Sequence, residues 1–260
     1  MRIYTPEGTG PFPMLMYFHG GGFVLGNLET CNNACHFLSK TVGCIVIAVD
    51  YRLAPEHKFP AAVEDAYTAT AWAADHTEEI NGDASRLAVL GESAGGNLAA
   101  AVCIMARDRG GPPLVFQMLA YPPTNLDTLE TDSYHKYAKG YGLTKFHASW
   151  LRNQYLGDEK DGKSPYASPL LAENVRGLPP ALVLTGECDV LRDDGELYVE
   201  RLKEEGVQAR FIRYADKGHM AYWMTPSGAA GDAQYQVAFT LEAVFRSKPT
   251  ELRNNCENCP

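Results

Sequence analysis

Residues 91–95 read Gly-Glu-Ser-Ala-Gly, between the apolar run Arg-Leu-Ala-Val-Leu at 86–90 and the apolar stretch that starts at Asn97. A serine with glycine two positions to either side, where a strand turns straight into a helix, constrains the fold more than any other feature of this chain. The turn closes only if small residues stand at its crossing points, and the serine between them takes a strained backbone conformation. Its hydroxyl then projects above the sheet edge, where the amino end of the following helix favours negative charge.

Such a turn needs a parallel sheet to stand on. Short β-rich runs at 1–4, 14–18, 44–49, 86–90, 114–119, 181–185 and 209–214 alternate with helical stretches. Most of the runs are continuously apolar, the pattern of strands covered on both faces. Helices are expected over AAVEDAYTATAWAADH after Pro60, over NLAAAVCIMAR, over ELYVERLKEEG with its stop at Gly206, and from 230 to 246. The expected architecture is a single α/β domain over 1–260, its mostly parallel central sheet flanked by helices. Residues 124–179 break the alternation with Tyr, Lys, Gly and Pro and one helical stretch, KFHASWLRNQYLG, and read as a cap or lid inserted between two strands.

Composition narrows the partners. The chain carries 23 basic against 32 acidic residues, a net charge of −9, which argues against nucleic acid or an anionic membrane surface. No stretch is long and apolar enough to span a bilayer, and MRIYTPEG lacks a signal-peptide core, so a cytoplasmic location is expected. Seven cysteines, scattered through strands and helices, suggest buried thiols rather than a disulfide framework. Cys256 and Cys259 form a CxxC in a polar tail over 248–260, without the second pair a metal site would need.

A second motif, His19-Gly20-Gly21-Gly22-Phe23, follows the strand-like MLMYF. Backbone N–H groups in such a loop can face a substrate oxygen, and with Ser93 nearby the natural chemistry is acyl transfer through a tetrahedral oxyanion. Gly20 and Gly21 are the expected donors, with Ala94 as a third; His19 is expected to hold the loop. A serine nucleophile needs a base, and the base an orienting acid. In a sheet of this kind they come in the chain order Ser, acid, His, each in a loop after a later strand. Asp189 follows ALVLTGEC and His219 follows ARFIRYAD, at the same sheet edge as Ser93. Glu187 stands nearer the strand end, while Asp193 and Asp194 suit a helix start. His57, His76, His135 and His147 come too early in the chain.

The blocks HGGGFVLG, DYRLAPEHKFPAAVEDAY, GESAGGNLA, ECDVLRDDGELY and KGHM, in this order from residue 19 to about 220, resemble the signature blocks of the hormone-sensitive-lipase family of esterases. The resemblance implies an α/β-hydrolase fold and hydrolysis of short to medium acyl esters. It implies the same residues: Ser93, Asp189 and His219, with Gly20, Gly21 and Ala94 around the oxyanion. Tyr51, Arg52, Pro55 and Glu56 carry over as a structural element only, and Glu92 as a brace of the turn. Two departures stand out. Only eighteen residues precede His19, so the N-terminal part of the cap and an edge strand are expected to be absent, and Met220 and Ala221 rather than an aromatic come directly after the base.

The expected function is therefore a serine carboxylesterase acting on a small-molecule ester, with no metal or organic cofactor implied. Phe23, Val24, Leu25 and Tyr121 are expected to wall the substrate cleft, with Tyr141, Phe146 and Trp150 as further candidates. Two other readings stay open: a non-catalytic small-ligand receptor, whose type usually lacks the histidine present here as His219, and an amidase, lactonase or deacetylase with the same three residues. A homodimer through an exposed edge strand is also compatible with the pattern.

Overall fold

In the computed structural model, residues 1–221, 223 and 229–247 are described. Tyr222 and the polar tail 248–260, with Cys256 and Cys259, lie outside them. All seven expected strands form: β1 (Arg2–Tyr4), β2 (Phe12–Phe18), β3 (Ile45–Val49), β4 (Gly82–Glu92), β5 (Phe116–Ala120), β6 (Ala181–Gly186) and β7 (Ala209–Tyr214). They make one sheet in the order β1-β3-β2-β4-β5-β6-β7, with β1 antiparallel to β3 and every other pair parallel. The chain thus winds outward in both directions from β2 and β4, the strands that lead into the glycine loop and the serine turn.

Helices between the strands cover both faces: α1 (Asn32–Val42), α2 (Ala61–Asp75), α3 (Thr77–Ile80), α4 (Ala94–Asp108), α5 (Asp132–Lys136), α6 (Lys145–Tyr155), α7 (Arg192–Glu204) and α8 (Ala229–Arg246). Because side chains alternate along a strand, β2 sends Met14, Met16 and Phe18 towards α2, α4 and α7, and Leu15 and Tyr17 towards α1 and α8. Both sets are buried, which explains why β2 is apolar at every position rather than every second one. Helix α4 is buried along nearly its whole length, as its all-round apolar sequence requires.

Helix α1 was not anticipated. Its buried side is Cys31, Cys35 and Leu38, a correct i, i+4, i+7 spacing hidden among Asn32, Asn33, His36, Lys40 and Thr41. Gly43 ends it in the left-handed conformation, φ 68°, returning its N–H to the Ser39 carbonyl at 3.0 Å.

Between β5 and β6 the chain forms no strand. It carries α5, α6 and two short 3₁₀ turns, Glu159–Lys163 and Pro169–Leu171. Polar clamps tie this excursion to the sheet layers. Asn97 Nδ2, on α4, donates to the carbonyls of Pro123 (2.8 Å) and Ala167 (2.7 Å). Lys58 Nζ donates to the carbonyls of Gln154 (2.8 Å) and Leu156 (3.0 Å) at the end of α6.

Asp194, in the first turn of α7, is fully buried. The amide of Asn125 donates to its Oδ2 at 3.3 Å, and its Oδ1 has no partner. Burial, the largest cause, pushes the carboxyl well above the usual carboxylate range, against the pull of the Asn125 and Thr124 backbone. The fold therefore binds this proton more tightly than the unfolded chain does. Its contribution to stability is present below the ordinary carboxylate pKa and is lost as pH rises through the elevated one. Asp194→Asn removes that loss, so the melting temperature of the variant relative to wild type should climb with rising pH. A difference that stays constant from pH 4 to 8 would contradict the assignment.

Candidate active site

Ser93 stands between β4 and α4 with φ 53° and ψ −120°, a conformation that a non-glycine residue adopts only when its surroundings enforce it. The enforcement is visible in the two flanking glycines. A Cβ on Gly91 would overlap the Gly95 carbonyl, and a Cβ on Gly95 would overlap the carbonyls of Phe18 and His19. The Ser93 amide donates to the Ala120 carbonyl at 2.8 Å, fixing the turn to the end of β5.

The two other expected residues converge on this turn. Asp189, buried, lies just after β6 and accepts the Leu191 amide on Oδ1 at 3.0 Å. His219, after β7, places Nδ1 2.8 Å from Asp189 Oδ2 and Nε2 3.1 Å from Ser93 Oγ. A carboxylate can only accept, so Nδ1 carries the proton, and Nε2 is left to accept from the serine hydroxyl. Ser93, His219 and Asp189 thus form a continuous hydrogen-bonded chain across three strand ends that are far apart in sequence.

The glycine loop lies against the same turn. A Cβ on Gly20 would touch the Glu92 carbonyl at 3.1 Å and Ser93 Cβ at 3.5 Å, so the loop backbone passes directly over the serine. Gly21 has φ 120°, and its carbonyl accepts the amides of Val24 (3.1 Å) and Leu25 (2.9 Å), which curls the loop back. His19 is buried below it, its Nδ1 2.7 Å from the Gly20 carbonyl, and its ring stacks on Tyr51 at 4.3 Å. Tyr51 in turn donates to the His19 carbonyl at 2.7 Å. Desolvation lowers the His19 pKa, in keeping with a neutral imidazole that braces the loop. The neighbouring Arg52 is held by a bidentate pair with Asp65.

Beside Ser93 opens a cavity of about 30 Å³. Gly22, Phe23 and Ala94 form one side; Pro123, Leu126, Leu129, Leu143, Leu151 and Leu191 supply most of the rest. Of the four expected wall residues, Phe23 lines this cavity and stacks face to face on Tyr155 at 3.8 Å. Val24, Leu25 and Tyr121 stand outside it, which corrects the expectation for this cavity. Val24 packs on the core, and Leu25 is 65% exposed. Tyr121 lies under the site, its ring edge-on to His219 at 4.9 Å and its hydroxyl on Glu92. Tyr141, Phe146 and Trp150 are exposed rather than part of the cavity wall. The leucines that do line it were missed: Leu126, Leu129 and Leu143 come from irregular chain with no period to mark them, and Leu151 from the helix α6.

Comparison with known proteins shows the family to which this fold belongs. A family model described as the alpha/beta hydrolase fold matches residues 15–223. A carboxylic ester hydrolase of Mycobacterium tuberculosis is 43% identical over 237 residues, covering 88% of this chain and 63% of that protein. An arylesterase of Saccharolobus solfataricus is 43% identical over 220 residues, covering 84% and 71%. The chain thus spans less than two thirds of the first relative's length. Among solved structures, a hyperthermophilic esterase of Pyrobaculum calidifontis superposes with a TM-score of 0.89 at 45% identity, covering 93% of this chain and 78% of the other. A thermostable carboxylesterase cloned from a metagenomic library gives a TM-score of 0.90 at 41% identity, covering 94% and 84%.

The strain at Ser93 is open to measurement. A left-handed non-glycine residue costs about 1–3 kcal/mol, and a glycine in its place gives back part of that gain through the freer unfolded chain. Ser93→Gly should therefore be more stable than Ser93→Ala by about 1 kcal/mol in urea unfolding. Equal stability of the two would show an unstrained turn.

Proposed function

This chain belongs to the α/β-hydrolase family, and on that premise we propose that it is a serine carboxylesterase with Ser93 as nucleophile, His219 as base and Asp189 as orienting acid. The observation that carries the reading is the unbroken chain from Ser93 Oγ through His219 to Asp189, opening onto an apolar cavity.

Ser93 Oγ attacks the ester carbonyl carbon as its proton passes to His219 Nε2. The resulting imidazolium is stabilised by Asp189, which already holds Nδ1–H. Charge collects on the former carbonyl oxygen, where the amides of Gly20, Gly21 and Ala94 are the proposed donors. Each donor of this kind is worth about 3 kcal/mol at the transition state. Collapse breaks the bond to the alcohol, whose oxygen takes the proton from His219. Water, deprotonated by the same imidazole, then releases the acid and restores Ser93.

The cavity sets the proposed acyl preference. It is small, which in this reading favours a short acyl group over an extended chain. Its leucine walls suit an apolar substituent. Residues 124–179, which contribute most of those walls, act in this reading as the cap over the acyl site.

Hydrolysis of p-nitrophenyl esters from acetyl to dodecanoyl tests both parts. Acetyl to butyryl esters should turn over fastest, and Ser93→Ala should lower kcat by about 10⁴-fold or more. A folded wild-type protein that binds such esters without turnover would instead indicate a receptor. Dodecanoyl exceeding butyryl would refute the acyl preference alone.

A further inference from the structure

Next to Ser93 the chain holds a second, half-buried carboxylate that the reaction above does not use. Glu92 ends β4, and the strands on either side of β4 each send it a phenol. Tyr17, on β2, donates to Oε1 at 2.9 Å; Tyr121, just past β5, donates to Oε2 at 2.8 Å. Both tyrosines are fully buried. Burial raises the Glu92 pKa, while the two phenols, His219 and the Gly20 amide draw it back. The thiols of Cys31 and Cys35, on the α1 side, also stand within its field.

Of these neighbours, three belong to the site. Gly20 lies in the glycine loop. His219 rests against the edge of the Tyr121 ring, with the planes at 71°. Tyr121 itself has φ 41°, an unusual backbone conformation for an aromatic residue, and its amide is bound to the Leu184 carbonyl at 2.7 Å. Its ring direction is therefore set by anchors at both ends, the amide on β6 and the hydroxyl on Glu92. Tyr17 shares the carboxylate but has no ring contact with the histidine, so the two phenols separate a role in the site from one in packing.

We propose that Glu92 is a positioning residue for the base: by holding the Tyr121 hydroxyl it fixes the ring on which the His219 imidazole rests, and so keeps Nε2 aimed at Ser93 Oγ. This rests on the reading of His219 as the base. A residue of this kind acts on the transition state, where the imidazole must receive and return a proton, and little on ester binding.

The test is steady-state hydrolysis of p-nitrophenyl acetate by wild type, Glu92→Gln, Tyr121→Phe, Tyr17→Phe and the Glu92→Gln/Tyr121→Phe double variant, each with its melting temperature. Glu92→Gln and Tyr121→Phe should each lower kcat about tenfold and leave KM within about twofold. The double variant should be no slower than the slower single, because both changes weaken one linkage. Tyr17→Phe should lose several-fold less than Tyr121→Phe at a similar drop in melting temperature. An undiminished kcat in Glu92→Gln, losses carried in KM, losses that multiply in the double variant, or equal losses from the two phenols would overturn the proposal. If Glu92→Gln does not fold, the Tyr121 and Tyr17 pair decides. A wild type without turnover refutes the esterase reading itself, a result distinct from any of these.

Discussion

The backbone at Ser93 is held at φ 53°, ψ −120°, and most of the molecule can be read as what is needed to keep it there. Such a conformation persists only where packing leaves no alternative. Here Gly91 and Gly95 let two chain segments cross without a Cβ between them, and the carbonyls of Phe18 and His19 close over Gly95. That contact has a second effect. It brings the end of β2 against the serine turn, so the glycine loop that follows β2 must start above Ser93. The loop and the turn are therefore placed by one packing event rather than two, and β2 and β4 have to be neighbours in the sheet.

Three acidic side chains stand close to this turn, and the fold treats each differently. Asp189 is buried but accepts from His219 and the Leu191 amide, which satisfies an ionised carboxylate. Glu92 receives two phenols and faces the histidine, so burial and its partners oppose each other. Asp194 has one long backbone bond and an unpartnered oxygen, the surroundings of a neutral acid. Burial raises the Asp194 carboxyl well above the usual range, and the neighbouring Asp189 and Asp193 charges add to that rise.

Much of this was legible before the structure. Most of the seven strands lay in continuous apolar runs, because a parallel sheet covered on both faces leaves few positions for polar side chains. Asp189 and His219 could be picked from chain order, since the loops after later strands open at the edge where the serine stands, and their hydrogen bonds to each other and to Ser93 are now in view. Helix α1 escaped because Cys35 and Ser39 stand beside Leu38 among its buried positions, and a hydrophobic pattern underweights both. The cavity wall escaped for a deeper reason. Leu126, Leu129, Leu143 and Leu151 meet only through the tertiary path of residues 121–180, and no local period records that path. The sequence groups Tyr121 with the aromatics of the excursion as a wall residue. Its positive φ, invisible in sequence, turns the ring downward to Glu92.

The division of labour between sheet and excursion has a consequence for how such a site can change. Ser93, Asp189, His219 and the glycine loop all sit on strand ends, held by the core; the cavity beside Ser93 is walled mainly by chain between β5 and β6. The two parts nevertheless touch. A Cβ on Gly22 would collide with the Leu151 side chain of α6, so the third glycine of the loop is in van der Waals contact with the cavity wall. Replacing Leu151 by a smaller residue would enlarge the cavity and also remove the support on which that glycine rests. The cavity wall and the glycine loop are thus mechanically linked at one contact.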